Sequence, residues 1–176
     1  VINNSGLSFD LYPYGLSKRQ GIPEMQNFFI LHEGPLSITD GVLEEYDYDD
    51  LKDDKKIKHS SVGGWIGMTD KYWQTAIIPN QNEPVQQTYK YSFVDNIDNF
   101  QTDIVGERIA VSNNASISHN FKIFAGPKIV NIIDKYMEEY GFDGFDRSVD
   151  FGWFYFLTKP IFNVLEFIYG LSLIHI

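Results

Sequence analysis

The hydrophobic period changes once along this 176-residue chain, at Gly126-Pro127, and that change constrains the fold more than any other feature. Before it, apolar residues come in short runs or alternate with polar ones, and Gly, Pro and Asp punctuate them at short intervals. That is the pattern of strands joined by turns. After it, apolar residues recur every three to four positions, as on one face of a helix. Strands followed by helices predict an α+β chain, mainly β.

The strand region resolves into segments. Phe28-Phe29-Ile30-Leu31 is an apolar run suited to a buried strand. Residues 36–39 and 42–46 flank Asp40-Gly41, and Asp-Gly between strand-like segments is the type I′ hairpin signal, because both residues tolerate positive φ. Residues 72–78, 86–94 and 99–111 read as further strands. Ile117, His119, Phe121 and Ile123 alternate with Ser118, Asn120 and Lys122, which predicts one more, half-buried. Strands at this spacing predict an antiparallel β-sandwich. Gly63-Gly64-Trp65-Ile66-Gly67 reads as a turn or bulge where backbones approach closely.

Composition narrows the chemistry. The chain has 24 Asp+Glu against 14 Lys+Arg, a net charge of -10, which argues against a nucleic-acid partner because phosphate binding needs clustered cations. It has no Cys, which excludes disulfides, thiolate nucleophiles and Cys-based zinc sites. Residues 44–58 hold seven acids and four lysines. The EF-hand order of ligands is absent from them, so they read as a solvated mixed-charge loop rather than a calcium loop. No cofactor or metal set is legible. Asp150-Phe151-Gly152 matches a kinase tripeptide without the rest of that signature set, and is chance. His32, His59 and His119 are scattered. A β-sandwich sugar enzyme would need two of them to meet an acid such as Glu33 or Glu107.

Pro127 stands where a helix N1 proline would, and Gly141 where a C′ glycine would, so the spacing predicts a helix over 127–140. Ile129, Ile132, Ile133, Tyr136, Met137 and Tyr140 form its apolar face, to be packed on the sheet. Residues 142–150 read as a linker. The segment 151–169 is different in kind: Trp153, Phe154, Phe156, Phe162, Leu165 and Phe167 dominate it, and Lys159, Asn163 and Glu166 share one narrow helical strip. Pro160 is expected to kink or restart this helix. Two readings suit it. A core helix would bury the broad apolar face; an interfacial helix would lay it in a bilayer surface with the polar strip toward water. Two charges and an interrupting proline make it a poor membrane span.

One block carries a family resemblance. Asp150-Phe151-Gly152-Trp153-Phe154-Tyr155-Phe156-Leu157-Thr158-Lys159-Pro160 resembles the end of the periplasmic domain in the YidC (bacterial Oxa1-type) family of membrane protein insertases. Phe124-Ala125-Gly126-Pro127-Lys128 is similar to that family's strand-to-helix junction. Tyr12-Pro13-Tyr14-Gly15-Leu16, Leu31-His32-Glu33-Gly34-Pro35 and the Gly63–Trp73 segment are similar too. The resemblance implies part of an antiparallel β-supersandwich over 1–126, a packing helix and linker over 127–150, and an amphipathic membrane-interface helix over 151–170. On that helix, Trp153, Phe154, Phe156, Phe162, Leu165 and Phe167 would meet the bilayer.

The implied role is non-enzymatic, without cofactor: inserting and folding inner-membrane proteins, with or without the Sec translocon. The implied partners are the lipid bilayer surface, nascent membrane proteins, the Sec translocon and SecD/SecF. The implied place is the bacterial inner membrane, with this portion facing the periplasm. The alternative is a sugar-binding or sugar-converting protein of mutarotase-like shape, since fold does not fix function. Residues 171–176 fit the family poorly and read as a non-native tail, and the start at Val1 reads as a cut.

Overall fold

Among the described residues every strand pairing is antiparallel. The computed structural model describes residues 1–23, 32–149 and 155–173. The expected strand at Phe28-Phe29-Ile30-Leu31 lies outside them. In chain order the strands are β1 (Phe9–Leu11), β2 (Tyr14–Gln20), β3 (Gly34–Thr39), β4 (Val42–Glu45), β5 (Lys56–Val62), β6 (Trp65–Thr69), β7 (Trp73–Ile78), β8 (Pro84–Val94), β9 (Ile97–Gly106), β10 (Ile109–Val111) and β11 (Lys122–Pro127). The helices are α1 (Tyr48–Asp54), α2 (Val130–Tyr140) and α3 (Tyr155–Leu173). The chain is α+β, mainly β.

Two sheets make the body, ordered β11-β7-β6-β3-β4 and β2-β9-β8-β5; β1 and β10 form a small separate pair. The sheets face each other across Ile66, Met68 and Ile77 from one and Val85, Tyr89, Phe100 and Ile104 from the other. The five-stranded sheet is covered on its second face as well. There Leu36, Ile38, Trp65, Ala76 and Ile78 pack against Ile133, Phe142 and Phe145. The layers therefore run four-stranded sheet, five-stranded sheet, helices. Gln87 pins the two sheets together: its amide nitrogen donates to the Ile38 carbonyl at 3.0 Å and its amide oxygen accepts from the Thr39 hydroxyl at 2.7 Å.

Turn chemistry sets the topology. Asp40 and Gly41 have φ of 47° and 80°, the type I′ hairpin between β3 and β4 that Asp-Gly predicts. Asp95 and Asn96, at 53° and 62°, make the same kind of turn between β8 and β9. Gly63 and Gly64, at 68° and 72°, carry the chain from one sheet to the other. A Cβ on Gly64 would lie 2.1 Å from the Ile38 carbonyl oxygen, so the expected close approach is real and excludes any side chain. Gly67 is tighter still, at 1.8 Å from the Thr75 carbonyl oxygen across the β6–β7 ladder.

Four expectations are corrected. The charged stretch 44–58 is not a loop throughout; it contains α1, whose Tyr48 and Leu51 are buried at helical spacing while its acids stay outside. Asp50 accepts a hydrogen bond from the Asp47 backbone N–H at 3.3 Å, which helps start the helix. The predicted strand 99–111 is two strands, β9 and β10, in different sheets. The predicted strand around 117–123 begins only at Lys122, because the residues before it are tied elsewhere: Ile117 N–H to the Val1 carbonyl, His119 to Glu83. Pro127 ends β11 instead of starting a helix, and α2 runs from Val130. A proline is tolerated there because β11 is an edge strand and its missing N–H breaks no ladder.

Candidate functional site

The site is built at the helical layer. α2 buries Val130 and Ile133, while Ile129, Ile132 and Tyr140 of the expected apolar face remain substantially exposed. Gly141 ends the helix in the left-handed conformation, and its N–H caps the Met137 carbonyl at 2.9 Å. Behind it, Phe145 stands edge-on to Trp65, Phe124 and Phe142, with ring centroids 5.4, 5.3 and 5.7 Å away. Phe145 opens a single 3-10 turn to Ser148. This aromatic knot fixes α2 and the turn to the sheet, and the two together form a seat.

α3 is tied to that seat through Lys159. Lys159 Nζ donates to Asp134 on α2 at 3.0 Å and to Asp146 on the 3-10 turn at 2.8 Å. All three side chains are mostly shielded from solvent, so these charge-assisted bonds are screened less than surface pairs. Sequence reading placed Lys159 on a strip facing water; it faces the protein instead, because two carboxylates on separate elements converge there. The helix continues through Pro160, whose missing N–H would otherwise serve the Phe156 carbonyl. It extends to Leu173, taking in the first residues of the suspected tail.

The apolar residues of α3 point away from the body. Phe156, Phe162, Leu165 and Phe167 are 76%, 40%, 60% and 67% exposed. Leu157, Ile161, Val164, Ile168 and Tyr169 are exposed as well. Trp153 and Phe154 lie outside the described residues. Contiguous apolar surface of this kind marks a surface that meets something apolar. Among the described residues, no helix is long and apolar enough to cross a membrane.

The histidines have separate engagements. His59 Nε2 lies 2.8 Å from the Tyr46 hydroxyl, His119 Nε2 2.8 Å from Glu83, and His32 Nε2 3.2 Å from the Pro35 carbonyl. Among the described residues no three His, Asp or Glu side chains gather as a metal site would. A cleft of about 410 Å³ does open beside β2 and β7. It is lined by Ser17, Arg19, Asp70, Trp73 and Thr75, with neither His nor Glu. Arg19 pairs with Asp70 through both guanidinium nitrogens and donates to the Tyr48 hydroxyl at 2.9 Å. The Asp70 hydrogen bond raises the Arg19 pKa further, so the pair is a permanent brace joining β2, α1 and the loop before β7. The sugar-site alternative is not favoured.

A two-sheet antiparallel body with a helical layer and an appended helix of exposed apolar side chains defines a β-sandwich domain with a C-terminal helix. The family model for the YidC periplasmic domain matches residues 1–164. Membrane protein insertases YidC from Rickettsia canadensis and Rickettsia rickettsii are each 39% identical over 171 residues, 97% of this chain and 30% of theirs. That from Rickettsia bellii is 38% identical over 170 residues. The chain belongs to the YidC periplasmic-domain family, and it spans about 30% of the length of these relatives.

Proposed function

We propose that this chain is the periplasm-facing part of a membrane protein insertase of the bacterial inner membrane, and that α3 lies in the bilayer surface. The observation that carries the reading is the exposed apolar surface of α3, tied to the body through Lys159. The relatives are named membrane protein insertases. The whole protein assists insertion and folding of inner-membrane proteins, alone or beside the Sec translocon and SecD/SecF. Its clients are nascent membrane proteins, and its role is non-enzymatic. This portion supplies a scaffold and, through Trp153, Phe154, Phe156, Phe162, Leu165 and Phe167, a contact with lipid.

Full burial of a large apolar side chain contributes about 1.5–3 kcal/mol, and interfacial seating roughly half of that. Four such side chains therefore give about 3–6 kcal/mol of membrane affinity. Replacing Phe156, Phe162, Leu165 and Phe167 by Ser abolishes co-flotation of the chain with phospholipid vesicles. In the whole protein the same changes impair client insertion. Flotation equal to the unsubstituted chain would refute the lipid contact.

A further inference from the structure

The outer face of the four-stranded sheet carries a charge pattern opposite to that of the chain. Strand alternation turns Lys18, Lys56, Lys58 and Lys90 outward, and all four are exposed. The register aligns three of them. Lys56 lies directly opposite Lys90, Lys90 opposite Gln101, and Gln101 opposite Lys18. A single row across all four strands therefore reads Lys-Lys-Gln-Lys, with Lys58 one row away beside Thr88. Neighbouring members of the row are about 5 Å apart. The one carboxylate facing outward on these strands is Asp103, which is 7% exposed and accepts from Gln101 at 2.7 Å. Among the described residues none of the four lysines makes an ion pair, although the chain carries a net charge of -10. Lys58 has only the neutral Gln86 amide, at 3.0 Å.

Edge protection explains part of this pattern. β2 and β5 are the edges of the sheet, and lysines on an edge deter strand addition. It does not explain Lys90, which sits on the central strand β8. Like charges directly opposite across a ladder are destabilising, and here the opposed pair has no acid to relieve it. The fold tolerates a repulsion that a single neutral residue would remove.

We propose that this face docks an acidic segment of a partner protein, with Lys18, Lys56 and Lys90 meeting its carboxylates in a row and Lys58 closing the side. Charge complementarity selects an anionic occupant. The choice of a protein over lipid headgroups rests on the reading of α3 as the bilayer contact. The helical layer that seats α3 covers the far face of the five-stranded sheet, so the whole sandwich stands between it and the lysines. That separation is at least about 10 Å of inter-sheet spacing plus a helical layer, beyond the screening length of about 8 Å in physiological salt.

The test uses the 176-residue chain and a fluorescent oligoglutamate peptide, read by anisotropy at low salt, with oligoglutamine as control. The K18Q/K56Q/K58Q/K90Q variant binds oligoglutamate about thirtyfold more weakly, the sum of four exposed ion pairs. A variant of equal net charge, K71Q/K122Q/K128Q/K135Q, keeps its affinity. Lys90→Gln alone raises Tm while weakening binding, which separates a docking lysine from one kept for stability. Equal weakening in both quadruple variants, or a Tm that falls with Lys90→Gln, overturns the proposal. So does salt-dependent self-association that the first variant loses, which makes the occupant a second copy. Anionic vesicles are a separate arm. If the α3 serine variant still floats and K18Q/K56Q/K58Q/K90Q does not, lipid is the occupant and both the α3 reading and this one fail. If both variants float and the peptide result stands, only the α3 reading fails.

Discussion

Replacing Lys159 by Met should unseat α3 and leave the body intact. The side chain keeps its length and apolar stem but loses the ammonium that bridges Asp134 and Asp146. Hydrogen bonds to a charged group contribute about 1.5–3 kcal/mol each when shielded. With solvent reaching about a quarter of Asp134, the lower end applies, so the two together give about 2–3 kcal/mol. The substitution also removes the cation that the two carboxylates share, which adds repulsion between them. Opening of α3 away from the seat should therefore become about 30- to 160-fold more frequent. Native-state hydrogen exchange reads this directly: amides in the first turns of α3 lose protection, while those of β6 and β7 beneath the aromatic knot do not change. Adding Asp134→Asn and Asp146→Asn to the Met variant removes that repulsion and recovers part of the protection. Unchanged exchange in α3, or a loss spread equally through β6 and β7, would refute the idea that Lys159 holds the helix to its seat.

Two further outcomes follow from the packing. Gly67→Ala drives a methyl into the Thr75 carbonyl and should lower stability by at least about 3 kcal/mol, seen as a fall in the urea midpoint; an unchanged midpoint contradicts the close approach. Tyr46, Tyr48 and Tyr89 all have their pKa raised above 10.0 by burial, so the folded state favours their neutral form. The stability this provides is complete below pH 10.0 and is lost as pH rises above it, because the unfolded chain then releases protons that the folded chain retains. The tyrosinate absorbance of these three should thus appear together with loss of near-ultraviolet circular dichroism. Ionisation of all tyrosines with the fold intact contradicts this.

What was legible in the sequence was local. Asp40-Gly41 announces its hairpin because positive φ is a property of those two residues, whatever surrounds them. The Gly-Gly pair at 63–64 announces a tight passage for the same reason. The period of α2 and its stop at Gly141 are set by chain geometry within a few residues, although its start was misplaced by a proline that serves an edge strand. The apolar character of α3 was equally plain. Its seat was not. Asp134 and Asp146 stand 25 and 13 residues from Lys159, and a lone lysine among aromatics looks like part of a wet strip until two carboxylates meet it. α1 was hidden for a related reason: Tyr48 and Leu51 become an apolar stripe only against the sandwich core, and among so many charges they carry little pattern of their own.

The same division separates strands from sheets. Side-chain alternation and turn residues determined by themselves that this chain makes short antiparallel strands followed by helices, since those preferences act over a few bonds. Which strands share a sheet, which lysines fall into one row, and which carboxylates close on Lys159 were decided only by tertiary structure. Those contacts join residues remote in sequence, and burial and charge act through space once the layers have met.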